Sequence, residues 1–115
     1  MPEIISNTSC LIALDNVGRL PLLKDLYGRI LITEEVAQEF GQPLSYDWIT
    51  IQAPENREYI RILELTVDLG EASTIALAIE KSGSVPILDD VKARKLYERL
   101  RFTPCEDHLL MTRAM

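Results

Sequence analysis

The stretch Val85-Pro86-Ile87-Leu88-Asp89-Asp90-Val91-Lys92 joins a short apolar run to the start of a basic helical pattern. The apolar run predicts a buried strand over 85–88, and the helical pattern predicts a helix from Asp90 to Arg101. Ligands of an open α/β sheet bind outside the carboxyl ends of its strands. Two adjacent carboxylates at such an end repel each other and need water or a cation. The stretch therefore predicts a strand–helix unit with a hard-metal site that faces a negatively charged substrate.

The same alternation of short apolar runs and helical patterns continues along the rest of the chain. Further strands are predicted at 4–5, 29–32 and 48–51, the last of them at a sheet edge. Helices are predicted at 10–15, at 20–27, after Thr33, at 55–67, and from Glu71 to the Ser82-Gly83-Ser84 stop, with Leu69-Gly70 as a break. Helices between strands imply βαβ units with right-handed crossovers. We therefore expect an α/β fold of three layers (α/β/α) with a mostly parallel central sheet.

Length, composition and charge narrow the function classes. The 115 residues suit a single domain over 1–115, and a hydrophobic content of 47% indicates a globular chain. The net charge of −6 argues against a non-specific nucleic-acid binder. Five of the twelve basic side chains nevertheless lie within 92–101. Two cysteines, Cys10 and Cys105, and the lack of a signal-peptide or bilayer-spanning pattern predict a cytoplasmic protein with no membrane role.

Acidic or amide side chains stand near predicted strand ends or helix ends at four places: Asn7, Glu39, Glu71 and the pair Asp89-Asp90. The motifs around them are Ile5-Ser6-Asn7-Thr8-Ser9, Ile32-Thr33-Glu34-Glu35-Val36, Leu69-Gly70-Glu71-Ala72 and Leu88-Asp89-Asp90. Their order and spacing resemble the PIN domain, a family of small metal-dependent nucleases, over residues 4–103. The closest likeness is to the compact PIN proteins encoded in prokaryotic toxin–antitoxin pairs.

The resemblance implies a function and a set of site residues. Glu39, Glu71 and Asp90 would be catalytic and would hold Mg²⁺ or Mn²⁺, since carboxylate oxygens suit hard cations. Asp89 would be a further ligand or would lie behind the ligands, and the amide oxygen of Asn7 could also coordinate. One or two such ions would polarise an RNA phosphodiester and activate an attacking water. An antitoxin protein and a second copy of the chain are the partners expected of such a ribonuclease toxin.

Local structure offers a second interpretation of the same residues. Asn7 is a good N-cap, Glu71 suits the first turn of a helix, and Asp90 could cap the helix that begins at Val91. Basic side chains after the acid pair are often only a solvated helix face, although they could also hold an RNA backbone. The candidates for that contact are Lys92, Arg94 and Lys95.

Two departures from the family pattern leave the activity open. The first acid of the pattern is Asn7 here, and an amide carries no charge for a cation. Residues 104–115 do not continue as family members usually do, so a truncated form is conceivable. The alternative function is a degenerate PIN module that binds RNA or a partner protein without cleaving. A phosphoacceptor signalling domain ranks below both, because it would need an acid pair after the first strand, where Ser6-Asn7 stands.

Overall fold

The computed structural model of the chain describes residues 2–44 and 46–101. Within them, four short strands lie in one all-parallel sheet: β1 Ile4–Ser6, β2 Ile30–Ile32, β3 Ile49–Ile51 and β4 Val85–Ile87. The described helices are α1 Thr8–Asn16, α2 Leu22–Tyr27, α3 Glu34–Phe40, α4 Arg57–Leu63, α5 Leu69–Glu80 and α6 Val91–Arg101. The predicted α/β class with a parallel sheet is confirmed.

The sheet order β3-β2-β1-β4 places β1 and β2 in the centre. Because alternate side chains of a strand point to opposite faces, Ile4 and Ile5 enter different cores. Ile4, Ile30 and Ile32 pack with α1, α2 and α3 on one face. On the other face, Ile5 and Leu31 pack against Leu77 and Ala78 of α5. A further cluster joins α5 to α4 and α6, which completes the three layers.

Two local predictions are wrong. The strand at 85–88 was expected to be buried, but β4 is an edge strand with Val85 46% exposed. An apolar run looks the same in the centre and at the edge of a sheet, so composition cannot separate the two. The predicted break at Leu69-Gly70 is the first turn of α5, since Asp68 caps this helix by accepting the Glu71 N–H at 2.9 Å.

Other boundaries agree with the predictions or move by a few residues. β3 lies at a sheet edge as expected. Gly28 ends α2 with a φ of +77°, a conformation that favours glycine. The predicted helix over 55–67 is shorter, because Asn56 caps α4 and this helix ends at Leu63. No helix of the described chain has the length and apolar character needed to cross a bilayer. The predicted departure at 104–115 lies outside the described residues.

Candidate functional site

A cleft of about 320 Å³ opens at the carboxyl ends of the strands. It lies where the first turns of α1 and α5 meet the last turn of α3. Both helix N-termini carry partial positive charge, which favours nearby acids. The lining residues are Asn7, Thr8, Ser9, Ile12, Glu39, Asp68 and Glu71. The fold thus brings three of the residues predicted from sequence into one cleft, although they lie up to 64 positions apart.

Asn7 is only 1% exposed, and both ends of its amide are used. Its oxygen accepts the Cys10 N–H at 3.1 Å, which caps α1. Its nitrogen donates to Asp89 Oδ1 at 2.8 Å. Of the two roles predicted for Asn7, the cap is confirmed by the contact with Cys10, and the role of metal ligand stays a prediction. The Asn7 oxygen is therefore engaged with the backbone of α1.

Glu39 reaches the cleft from the last turn of α3. Thr8, the first residue of α1, donates its hydroxyl to Glu39 Oε1 at 2.9 Å. Gly70, in the first turn of α5, lies on the other side of the same carboxylate. A Cβ at Gly70 would overlap Glu39 Oε1 and come within 2.9 Å of Thr8 Oγ1. The missing side chain of Gly70 thus makes room for the Glu39 carboxylate.

Glu71 is a buried acid whose surroundings raise its pKa. Glu71 as a whole is 8% exposed, and its carboxylate oxygen Oε2 is buried with no hydrogen-bond partner. Burial raises the pKa of Glu71 to about 7, with further contributions from a hydrogen bond and charge at Asp68 and from the charge of Asp90. A buried carboxylate beside two other acids is unfavourable unless a proton or a cation compensates it. This arrangement is typical of a functional site.

Asp68 is a cleft residue that the sequence interpretation missed. It serves as the N-cap of α5 and also lines the cleft next to Glu71. The signal was present in the run Asp68-Leu69-Gly70-Glu71, in which a cap residue precedes a glutamate by three positions. The predicted break at Leu69-Gly70 conflicts with this capping pattern, in which the helix begins at Leu69. The acid at 68 adds a negative charge that the family resemblance did not supply.

The adjacent acids Asp89 and Asp90 differ in their surroundings. Asp89 is tied to Asn7, whereas the charge of Asp90 acts on Glu71. The Asp90 carbonyl accepts the Arg94 N–H at 3.0 Å, and α6 begins at the next residue. Of this pair, Asp90 is therefore the acid that contributes charge to the Glu71 side of the cleft.

The basic residues of α6 do not form one surface. Lys92, Arg94 and Lys95 are all exposed. Arg94 lines a separate cavity of about 160 Å³ beside β4, together with Tyr97 and Arg101. That cavity shares no lining residue with the acidic cleft. Lys92 and Lys95 are three positions apart and so share another face of α6.

A larger cavity of about 530 Å³ lies elsewhere, around the starts of β1 and β2, and includes Glu3, Tyr27 and Arg29. Two buried carboxylate oxygens of the described residues lack a hydrogen-bond partner, and neither lines this cavity. One is Glu71 Oε2, in the acidic cleft. The other belongs to Glu35, whose second oxygen pairs with Arg57. The smaller cleft is therefore the better candidate for ionic chemistry.

The acidic cleft fits a hydrated divalent cation. Across residues 2–44 and 46–101, no three His, Cys, Asp or Glu side chains are already gathered closely enough to hold a metal ion together. Mg²⁺ does not require such a cage, since it retains several waters and binds through one or two carboxylates. The buried Glu71 oxygen without a partner would supply one such ligand. Asp68 and Asp90 add negative charge beside Glu71.

This parallel sheet, with acids near the carboxyl ends of its strands, defines an α/β domain with a candidate ion-binding cleft. The chain belongs to the PIN domain family, since a family model of that description matches residues 3–104. PIN domains generally use divalent metal ions. No curated protein and no solved structure matches the chain. The resemblance found over residues 4–103 of the sequence is thereby confirmed.

Proposed function

We propose that the protein is a metal-dependent endoribonuclease that uses Mg²⁺ or Mn²⁺ to hydrolyse RNA phosphodiesters. Glu71 would be the principal ligand, with Glu39, Asp68 and Asp90 acting directly or through water. The observation that carries the proposal is Glu71 Oε2, a buried carboxylate oxygen without a hydrogen-bond partner. Membership of a nuclease-type family supports it. A divalent cation would complete the coordination of this oxygen and neutralise the neighbouring acids.

Each side chain of the cleft would have a distinct task. Glu71 would anchor the cation from the first turn of α5. Thr8 would hold Glu39 in the cleft through its hydroxyl hydrogen bond. Lys92 and Lys95 would contact the RNA backbone at phosphates, which position a substrate without reading its sequence. When bound, the cation supplies Lewis-acid polarisation of the phosphodiester and activates the attacking water.

RNA is the substrate class that we favour, and a toxin–antitoxin pair in a prokaryotic cytoplasm is the setting. The net charge of −6 disfavours a protein that coats long nucleic acid, so binding would be local, at the cation and the α6 lysines. The protein would form a homodimer and would bind an antitoxin protein. Both follow from the likeness to toxin-type PIN proteins.

The decisive experiment measures cleavage of a single-stranded RNA by the full chain in chelator, in Mg²⁺ and in Mn²⁺. Wild type should cleave only with a divalent ion, and Glu71→Gln should lose activity by at least a hundredfold. The matched control is Glu58→Gln, which removes one exposed carboxylate from α4 and should cleave like wild type. Cleavage that survives in chelator, or an active Glu71→Gln, would refute the proposal.

A non-cleaving PIN module is the second candidate, and the amide of Asn7 favours it. The first acid of the family pattern is absent, and the amide oxygen that replaces it caps α1. Such a module would bind RNA or a partner protein through the same cleft. Binding of labelled RNA without cleavage, at any concentration of Mg²⁺ or Mn²⁺, would select this candidate.

A further inference from the structure

We propose that the Asn7 amide takes the place of a second cation beside Asp89, so that the cleft binds a single divalent cation on its Glu71 side. The inference rests on the proposed function and adds a stoichiometry to it. It also gives the departure at Asn7 a role: a fixed N–H group does locally what a metal ion would otherwise do.

The orientation of the Asn7 amide follows from its two partners. The Cys10 backbone N–H can only donate, so the atom facing it at 3.1 Å is the amide oxygen. The Asp89 carboxylate can only accept, so the atom facing it at 2.8 Å is the amide nitrogen. With 1% exposure, the side chain has little room to turn. Turning the oxygen toward Asp89, so that both residues could hold a cation between them, would cost the cap of α1 and the bond to Asp89.

Asp89 is exposed, so water and the Asn7 N–H stabilise its charge without a metal. Hydrogen bonds to a charged acceptor are shorter and stronger than bonds between neutral groups. The ion pairs found among residues 2–44 and 46–101 join Arg57 to Glu35, Lys81 to Glu3 and Arg101 to Glu98. None of these pairs includes Asp89, so the Asn7 amide is the protein group that holds this exposed carboxylate in place.

The Glu71 side of the cleft has the opposite character. Glu71 Oε2 is buried with no N–H directed at it. Asp68 and Asp90 both act on Glu71 with their negative charge. The Glu39 carboxylate lies against Gly70, the neighbour of Glu71, and accepts a hydroxyl hydrogen bond rather than pairing with a cation. Negative charge is thus concentrated on one side, where a single divalent ion would neutralise most of it.

The variant Asn7→Asp replaces the N–H donor beside Asp89 with a second acid. Aspartate caps a helix as well as asparagine does, so α1 keeps its cap. The N–H facing Asp89 becomes a carboxylate oxygen, and two acids then face each other across a hydrogen-bond distance. Two carboxylates that close repel each other, and either a shared proton or a bridging cation relieves the repulsion; excess Mn²⁺ favours the cation. We therefore expect Asn7→Asp to create a second metal site between residues 7 and 89.

The chain offers a matched control in Asn56→Asp. Asn56 also caps a helix, since its Oδ1 accepts the Tyr59 N–H at 3.0 Å at the start of α4. The substitution makes the same chemical change at a residue that does not line the acidic cleft. Any change in metal stoichiometry that comes merely from an added carboxylate at a cap would appear in both variants.

The test is a Mn²⁺ titration of the full-length protein, with free Mn²⁺ followed by electron paramagnetic resonance. Wild type and Asn56→Asp should each bind one Mn²⁺ per chain, and Asn7→Asp should bind two. Two ions in wild type, no ion in wild type, or a single ion in a folded Asn7→Asp would overturn the inference. Circular dichroism establishes that each variant is folded.

A second pair of variants keeps the test valid if Asn7→Asp does not fold. Asp89→Asn should still bind one Mn²⁺, with affinity within about tenfold of wild type, whereas Glu71→Gln should weaken binding by more than that. The reverse order would overturn the inference. RNA cleavage by the same samples separates the two proposals. Wild type that cleaves with two ions refutes only the single-ion inference, and wild type that binds one ion without cleaving refutes only the nuclease.

Discussion

Replacing Glu71 with glutamine should stabilise the metal-free protein, and the gain should depend on pH. The folded environment, chiefly burial, raises the Glu71 pKa from 4.5 to about 7. In the unfolded chain the carboxyl ionises near the lower value. Between the two values the unfolded state releases the proton more readily, so wild type loses stability as pH rises. Below the lower value both states are protonated, and Glu71 contributes no pH dependence.

The size of the effect follows from the separation of the two pKa values. A separation of about 2.5 units corresponds to about 3 kcal/mol in the free energy of unfolding. Because Glu71 is only 8% exposed, solvent screens this charge little. For a domain of this size, about 3 kcal/mol amounts to a shift of about 10 °C in Tm. The glutamine side chain keeps the shape of the protonated carboxyl, so no packing change should obscure the result.

The assay is urea unfolding of wild type and Glu71→Gln in chelator, at about pH 4 and about pH 8. The two proteins should be nearly equal at the lower pH, and Glu71→Gln should be the more stable at the higher pH. Adding Mg²⁺ should then stabilise wild type more than the variant, since a ligand stabilises only the state that binds it. Glu58→Gln controls for the loss of one carboxylate. No gain at pH 8, or an equal gain in the control, would refute the electrostatic account of the cleft.

Three further changes probe the groups around these acids. Gly70→Ala should displace the Glu39 carboxylate, so that the Mn²⁺ affinity measured by titration falls at least fivefold. Its free energy of unfolding should change by less than about 1 kcal/mol. Thr8→Ala should weaken Mn²⁺ binding by severalfold through loss of the hydroxyl to Glu39, and Thr8→Ser should restore it. Arg57→Ala should lower the free energy of unfolding, measured in urea, by about 2 kcal/mol, because Glu35 remains buried without its partner. This loss is smaller than for a fully buried ion pair, since Arg57 is 52% exposed. If Arg57→Ala destabilises the Glu35→Gln variant as much as it destabilises wild type, this reason is wrong.

Local patterns in the sequence predicted most of the fold. Apolar runs located all four strands, and Gly28 marked a helix end correctly because only a local conformation was at stake. The environment of each strand was harder to predict. Val85 belongs to an apolar run, but its burial depends on whether a neighbouring strand covers it, and that is decided by the whole sheet.

The candidate site shows the same division between local and distant information. Glu39, Glu71 and the acid pair could be proposed from motif order, and the capping role of Asn7 from residue type. The contacts that give these residues their character join distant segments, such as Thr8 with Glu39 and Asn7 with Asp89. No local pattern specifies the distance between atoms of residues 31 or 82 positions apart. The role of Gly70 likewise follows from a neighbour in another helix.

The two edges of the sheet differ in their ability to accept another strand. The Val85 N–H donates toward β1, so by strand alternation an N–H at Pro86 would face the open side, and proline has none. At β3 the Gln52 N–H donates to Ile32, which directs the Ile51 N–H outward. Proline at an edge discourages the addition of strands. The described sheet therefore has one receptive edge and one blunted edge. Two copies could join once, edge to edge, but the receptive second edge that an endless cross-β stack requires is missing.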